Sequence, residues 1–394
     1  MQSLFATRDS AYHRTLKRPV AQLFSMTNMK NYEIYTDECT SIFTQVMKGL
    51  QNQSIDLSSW LQFYAFDVIA SITFQRRFGF MEQRKDIGNM IGDLHFALQY
   101  GKIIGQFPGL HPWLGGNKWL LSTLKALGME LPDPLAQFVK DEIERYDLQE
   151  NKVAQTQGKE RTDFLAQLRA KEAEGGQLSY RDIVNHLSNN ILAGSDTTAI
   201  SLRACFYYLM KTPSAYKKLV AEIDEADEKS RLSDFVTYEE SLQLPYLQAV
   251  MKEAMRLHPG VAFPLERYVP KGGAVICGHW LPEGTNVSVN ATVIHMDKHV
   301  YGEDADKFRP ERWIEATSDQ LKIMNRSFIA FGHGGRSCIG KNISILEMGK
   351  FLPQILRHFD VEWASSKPEW NLDAAWFWVQ SGMVAKFQWR GKST

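Results

Sequence analysis

The stretch FGHGGRSCIGKNIS, Phe331 to Ser344, places one cysteine behind three glycines and an arginine, directly before a helix-like run. Gly332, Gly334 and Gly335 permit turn geometries closed to other residues and bring backbone N–H groups toward the Cys338 sulfur. Such donors stabilise a thiolate, and the positive end of a helix starting after the cysteine lowers the thiol pKa further. A thiolate held on a tight turn is suited to gripping a metal. The competing reading is a buried structural cysteine, the commonest fate of a lone one.

Two further groupings carry chemistry. In LAGSDTTA, Leu192 to Ala199, an acid and two threonines interrupt an apolar helical stripe. A glycine costs ~1 kcal/mol relative to alanine inside a helix, and threonine hydroxyls divert backbone hydrogen bonds. Gly194 and Thr197 are therefore expected to loosen the helix locally and open a groove. In KEAMRLHP, Glu253 and Arg256 stand at i and i+3 on one helix face and can form a charge-assisted pair, although most such pairs are solvated and contribute little.

These residues need elements to hold them. From Asp56 to Arg77 and from Asp182 to Met210 apolar positions recur at helical spacing, as at Ile183, Leu187 and Ile191, so about 1–258 reads as helices. Within it, Asp147 to Glu160 is polar and charged with a single glycine and reads as a surface loop between helices. From about 259 to 315, short β-prone runs alternate with Pro and Gly, the texture of strands and turns. The Cys338 loop and its following helix occupy about 327–360, with Pro353 expected to kink or divide that helix. Terminal strands occupy about 370–390, where AAWFWVQSGMVAKFQWR reads as a hairpin or paired strands. The pattern predicts one domain over 1–394, mainly α with a small β region.

Composition narrows the function. A chain of 394 residues with 44% hydrophobic content can bury a substantial core. Lys+Arg 45 balance Asp+Glu 45, and basic residues form no long tract, so nucleic-acid binding is not expected. Cys39, Cys205, Cys277 and Cys338 lie far apart, which suits a reducing compartment rather than a disulfide scaffold. No window approaches the ~18 uninterrupted apolar residues of a membrane span. The amino terminus has charges where a signal peptide needs an apolar core. A soluble, cytoplasmic or peripheral chain is therefore expected.

The pattern Phe331-Gly332-x-Gly334-x-Arg336-x-Cys338-x-Gly340 closely resembles the haem-ligand signature of the cytochrome P-450 superfamily. The resemblance implies that Cys338 is the axial ligand of the iron of haem b, that Phe331 packs beside the sulfur and that Arg336 pairs with a haem propionate. A thiolate ligand pushes electron density toward iron and favours O–O cleavage. LAGSDTTA resembles the family's long distal helix, where residues at the positions of Asp196 and Thr197 deliver protons to dioxygen. Glu253 and Arg256 match the family's Glu-x-x-Arg pair, and FRPERW, Phe308 to Trp313, supplies Arg312 as third member of a structural network, with Trp313 where phenylalanine is usual.

Arg267 in PLERYVP stands where the family directs a strand arginine at a propionate. His13 and Lys17 in YHRTLKR align with the Trp-x-x-x-Arg pair on the other propionate, both types departing from it. By position, Asn189, Ala193, Val261, Ala262 and Phe263 are expected to line the substrate pocket, with Phe377 or Trp378 closing its far side. The phrases YHRTLKRPVAQLFSM and LHPGVAFPLERYVP look like fungal members near the pisatin-demethylase and benzoate-hydroxylase branches, which implies secondary metabolism or detoxification.

The implied activity is insertion of one oxygen atom into a small apolar or aromatic substrate by a monomeric enzyme. Electrons would come from NADPH through a partner reductase. Family members usually sit on the cytosolic face of the endoplasmic reticulum. They normally carry an amino-terminal anchor, a proline-rich hinge and first helices and strands before the point where this sequence starts, so a fold lacking these parts is expected. Two rival readings are a truncated haem-binding relic without turnover and a haem-thiolate isomerase or dehydratase.

Overall fold

A computed structural model of the protein describes residues 3–127, 134–153, 162–174 and 178–391. The helices that bear on the site are α1 (Ser10–Val20), α2 (Glu33–Gly49), α3 (Leu57–Phe74), α4 (Met90–Gln106), α5 (Pro134–Val153), α6 (Tyr180–Lys211), α7 (Pro245–Leu257) and α8 (Lys341–His358). Every residue of α3 except Ser59 is buried. Its sequence LSSWLQFYAFDVIASITF has almost no polar face, and a helix that is apolar all round has to be interior. The Asp56 carboxylate caps its start by accepting from the Ser58 N–H, and Gln75 ends it in the left-handed region at φ 55°.

The 32-residue α6 begins with a capping box between Ser179 and Asp182 and lies against α3. At their closest approach Gly194 does a different job from the one its sequence context suggests. A Cβ built there would stand 2.8 Å from Ile69 Cδ1 of α3, so the missing side chain lets the two helices touch. The helix runs unbroken through Gly194 and Thr197, and the expected loosening does not occur. Pro353 likewise neither kinks apart nor divides α8, which continues to His358. Proline removes one backbone bond, but Gly349 to Leu356 are all buried and tertiary packing holds both halves in line.

Part of the segment read as a loop is helical. Asp147–Val153 forms the last turns of α5, where Glu150 and Lys152 are ordinary helix formers, while 154–160 lie outside the described residues. No helix among the described residues is long and apolar enough to cross a membrane.

The strands are short. β1 (Ile55–Asp56), β6 (Phe359–Trp363) and β9 (Val384–Trp389) form an antiparallel sheet in the order β1-β9-β6. β2 (Leu265–Tyr268) pairs with β5 (Asn286–Val289), β3 (Ala274–Ile276) with β4 (His279–Leu281), and β7 (Asn371–Ala375) with β8 (Phe377–Ser381). The carboxy-terminal segment is therefore a hairpin, β7-β8, followed by a strand that leaves it. Gly382, at φ 76°, turns the chain so that β9 pairs with β6 and β1 instead. Around the strands of 259–315 the chain also forms short helices at Ala291–His295, Lys298–Tyr301 and Arg312–Glu315.

The β7-β8 turn is tied to the loop after α7. Ala262 N–H donates to the Trp376 carbonyl at 2.8 Å, and Trp378 N–H to the Gly260 carbonyl at 3.3 Å.

Candidate cofactor site

Cys338 sits at the end of a loop whose shape is set by its backbone. Gly332 and Gly334 occupy the left-handed region at φ 69° and 71°, where a side chain would be strained. Gly335 does not, so only two of the three glycines serve the turn. Cys338 N–H donates to the Phe331 carbonyl at 2.8 Å, and Ser337 N–H to Gly334 at 3.1 Å. The donors near the sulfur are the N–H groups of Gly340 and Lys341, at the start of α8, and not those of the preceding glycines.

Cys338 is exposed. Part of the residue is open to solvent, but protein crowds the thiol, and this desolvation holds it above its ordinary value. The two N–H groups and the Lys341 ammonium act in the opposite direction. The expected lowering is thus not reached by the protein alone. A metal cation at the sulfur would reverse the balance, because a coordinating thiol is deprotonated outright.

Cations gather beside this loop. Lys17 Nζ of α1 donates to the Gly335 carbonyl at 3.3 Å. Burial, then the charges of Arg336 and Lys17, lower the His13 pKa, which places these three residues within electrostatic reach of one another. Among the described residues no carboxylate pairs with His13, Lys17 or Arg336. Arg267 is exposed on β2 and uses Nη1 on the Glu266 carbonyl, again without a carboxylate partner among the described residues. Phe331 packs against the core edge, with Lys341 Nζ 5.6 Å from its ring centre.

The middle of α6 is opened on one face. Leu192 and Ala193 are exposed and Asn189 and Thr197 half-buried, although Ser195, Asp196 and Thr198 to Tyr207 are buried. Thr197 Oγ1 donates to the Ala193 carbonyl at 2.7 Å, and Gly260 lies beside it. Asn189 donates to the Asn185 carbonyl at 2.6 Å. Asp196 is not on that face. Successive helical residues are about 100° apart, and its carboxylate turns toward α3, where Gln62 Nε2 donates to Oδ1 at 3.0 Å. Its Oδ2 is buried without a partner. Arg203, one charge near Asp196, donates to the Ser58 carbonyl and to Gln62 Oε1. Burial raises the Asp196 carboxyl, against the lowering influence of Arg203 and His95. Gln62, Arg203 and His95 are residues that the sequence did not signal.

The proposed far wall divides. Val261 bridges to Phe377, and Phe263 lies 6.2 Å, ring centre to ring centre, from Trp376. Ala262 is buried. Trp378 turns from this wall, its ring 5.2 Å from that of His258. Trp376 was not anticipated; it holds the turn at φ 64°, a strained position for an aromatic residue.

Behind the site, Glu253 is fully buried and accepts five hydrogen bonds: from Arg256 Nε and Nη2 at 2.9 and 2.8 Å, Arg312 Nε at 2.8 Å, Trp313 Nε1 at 2.9 Å and Arg309 N–H at 3.0 Å. Trp313 therefore adds a donor that phenylalanine could not. Arg256 Nη1 also donates to the carbonyls of His295 and Ala305. His295 Nε2 accepts from the Ile329 N–H, so Nδ1 carries the proton and donates to the Arg256 carbonyl at 2.9 Å.

Burial, partly offset by that bond to Arg256, pushes the His295 pKa down to about 4. Unfolded, the ring titrates near 6.5, so the stability it lends is complete above that pH and falls as the pH drops to about 4. The loss is about 3 kcal/mol at one pKa unit per 1.36 kcal/mol. Denaturation midpoints measured between pH 7 and pH 4.5 should fall more steeply for the wild type than for His295→Asn. Equal slopes would remove His295 as the cause.

A family profile described as Cytochrome P-450 matches residues 2–384. The chain belongs to the cytochrome P-450 family. It is 37% identical over 396 residues to a cytochrome P-450 monooxygenase, cicH, of Emericella nidulans, covering 99% of this chain and 78% of that protein. Pisatin demethylase of Fusarium vanettenii is 40% identical over 379 residues, 95% of this chain and 72% of its own. A cytochrome P-450 monooxygenase of Alternaria alternata is 35% identical over 383 residues, 95% and 99% respectively.

Membership of the P-450 family makes this an oxygen-incorporating haem oxidoreductase with thiolate-ligated iron, acting with a substrate, dioxygen and a redox partner. The local chemistry fits a haem. A sulfur with N–H donors at a helix start could ligate the iron, and cations without carboxylate partners could take the propionates. The uncovered stretch of α6 offers apolar surface for the ring.

Proposed function

We propose that the chain holds haem b through Cys338 and inserts one atom of dioxygen into a small apolar or aromatic molecule, with electrons drawn from NADPH through a separate reductase. The carrying observation is the exposed residue Cys338, its sulfur met by the Gly340 and Lys341 N–H groups and flanked by the His13, Lys17 and Arg336 cluster. Haem supplies dioxygen activation, and a thiolate ligand favours O–O cleavage. Arg336 and Arg267 hold the propionates, with Lys17 and His13 beside them. Glu253, Arg256 and Arg312 keep the loop and its supporting turns in place. Relatives named as a pisatin demethylase and as fungal monooxygenases support secondary metabolism or detoxification as the setting.

Thr197 stands on the open face of α6 and steers protons. Its hydroxyl can release the Ala193 carbonyl and turn toward the groove without breaking the helix. Asp196 acts one step behind it, where its unpartnered Oδ2 can hold a proton, since burial favours the neutral acid. Gln62 fixes the orientation of that carboxylate from α3. The aromatic pair Phe263 and Trp376, tied together by backbone bonds, forms a rigid wall suited to a flat substrate.

Thr197→Ala should retain haem yet divert reducing equivalents from product to hydrogen peroxide. Positioned proton transfer is typically worth roughly 10²–10⁴-fold, and the loss of product per NADPH should approach that range. Product formation and peroxide release, measured with a reductase present, test this. Unchanged coupling would take Thr197 out of the proton path. Turnover without any NADPH requirement would favour an isomerase or dehydratase instead.

A further inference from the structure

Between α6 and the carboxy-terminal hairpin lies a run of rings in near contact that the site does not use. Its inner end is Trp378, whose backbone N–H donates to the Gly260 carbonyl; a Cβ built on Gly260 would lie 4.0 Å from Thr197 Cβ. From Trp378 the ring centres step 5.2 Å to His258, 4.8 Å to Trp370 and 3.9 Å to Tyr207, the last two rings parallel to within 2°. Tyr208 meets Trp370 edge-on at 6.1 Å, and Trp363 meets Tyr207 at 5.6 Å. His258 is buried, whereas Trp370 is half-buried beside the exposed Glu369. The rings thus connect the neighbourhood of Thr197 to the surface.

Tryptophan and tyrosine are the side chains most easily oxidised by one electron without breaking a bond, and electron transfer between rings in near contact is fast because it weakens steeply with distance. The neutral His258 ring fills the gap between two indoles. Its Nε2 and the Trp378 Nε1 are both buried without partners, so neither ring is locked into a competing hydrogen bond.

We propose that Trp378, His258, Trp370 and Tyr207 form a conduit that carries one-electron oxidising equivalents from the oxygen-activating site to the protein surface when no substrate consumes them. The proposal rests on the reading of Cys338 as the haem ligand. One electron passes inward from Trp378 to the haem once peroxide or dioxygen has oxidised it, and is replaced from Trp370 across the His258 contact, so the deficit moves outward by electron transfer alone. It rests on the Trp370–Tyr207 stack, where two parallel rings share it. Trp370 then gives its indole proton to water, and a one-electron donor of the thiol or ascorbate class restores it. Trp363 is a poorer terminus than Tyr207, because Lys211 Nζ stands 4.0 Å over its ring but 5.9 Å from that of Tyr207, and a second positive charge is opposed more strongly at the nearer ring.

The holoprotein, first checked for the red-shifted carbon monoxide band of thiolate ligation, is treated with hydrogen peroxide in the absence of substrate. Oxidised residues are mapped by mass spectrometry and radicals read by freeze-quench electron paramagnetic resonance. Oxidation is expected to concentrate on Trp370 and Tyr207, ahead of Trp113, Trp119 and Trp280, although those are 74%, 74% and 63% exposed. Trp370→Phe should remove the radical signal and hasten haem bleaching, and Lys211→Met should move part of the oxidation to Trp363. The haem-free protein should lose the selectivity. With the band present, oxidation that follows exposure and ignores both substitutions overturns the conduit alone. A chain that binds haem without the band, or binds none, overturns the reading of Cys338 and the conduit with it.

Discussion

Cys338→Ser is expected to give a folded protein that keeps little haem and forms no product. The loop is shaped by Gly332 and Gly334 in the left-handed region and by the Cys338 N–H bond to Phe331, none of which involves the sulfur. The fold should therefore survive the exchange. A serine hydroxyl, however, does not ionise near neutral pH, so the Gly340 and Lys341 N–H groups would face a neutral oxygen and no anionic ligand would form. Haem content per chain, with the thermal midpoint of the haem-free proteins as a control, separates loss of ligand from loss of fold. A serine variant that retains wild-type haem and turnover would exclude Cys338 as the ligand.

Glu253→Ala should cost about 3–5 kcal/mol, the usual price of stranding a buried charge partner. Here the carboxylate answers two guanidiniums at once, Arg256 fully buried and Arg312 nearly so, together with the Trp313 indole N–H. Removing it leaves Arg256 held by carbonyls such as those of His295 and Ala305, and Arg312 with the Asp304 carboxylate in place of two acidic partners. Domains are stable by only about 5–15 kcal/mol, so the variant should express poorly and denature at a much lower denaturant concentration. Glu253→Gln keeps acceptor and shape and should fall between the two. A midpoint for Glu253→Ala close to that of the wild type would mean that the network relaxes in a way the geometry does not suggest.

What the sequence makes legible is what is written locally. The Cys338 loop can be read because glycines, arginine and cysteine lie within ten residues, and Glu253 with Arg256 because one helical turn brings them together. What escapes is long-range. Gln62 holds Asp196 across 134 positions, and nothing in the apolar run of α3 marks that one glutamine as a partner. Gly194 looks like a helix weakener until Ile69 of α3 is found against it. The two-residue strand Ile55–Asp56 is too short to signal itself and exists because β9 turns back to meet it. The direction of the Trp378 ring is equally hidden, since adjacent strand residues face opposite ways and the pattern of three aromatics in WFW does not say which way is in.

The thiolate assignment is tested most directly by the absorption spectrum of the reduced, haem-loaded protein under carbon monoxide. Thiolate ligation through Cys338 predicts a Soret band shifted strongly to the red. In Cys338→His, where an imidazole replaces the sulfur, that shift should vanish while haem remains bound. A wild-type spectrum without the shift, or a histidine variant that keeps it, would contradict the account.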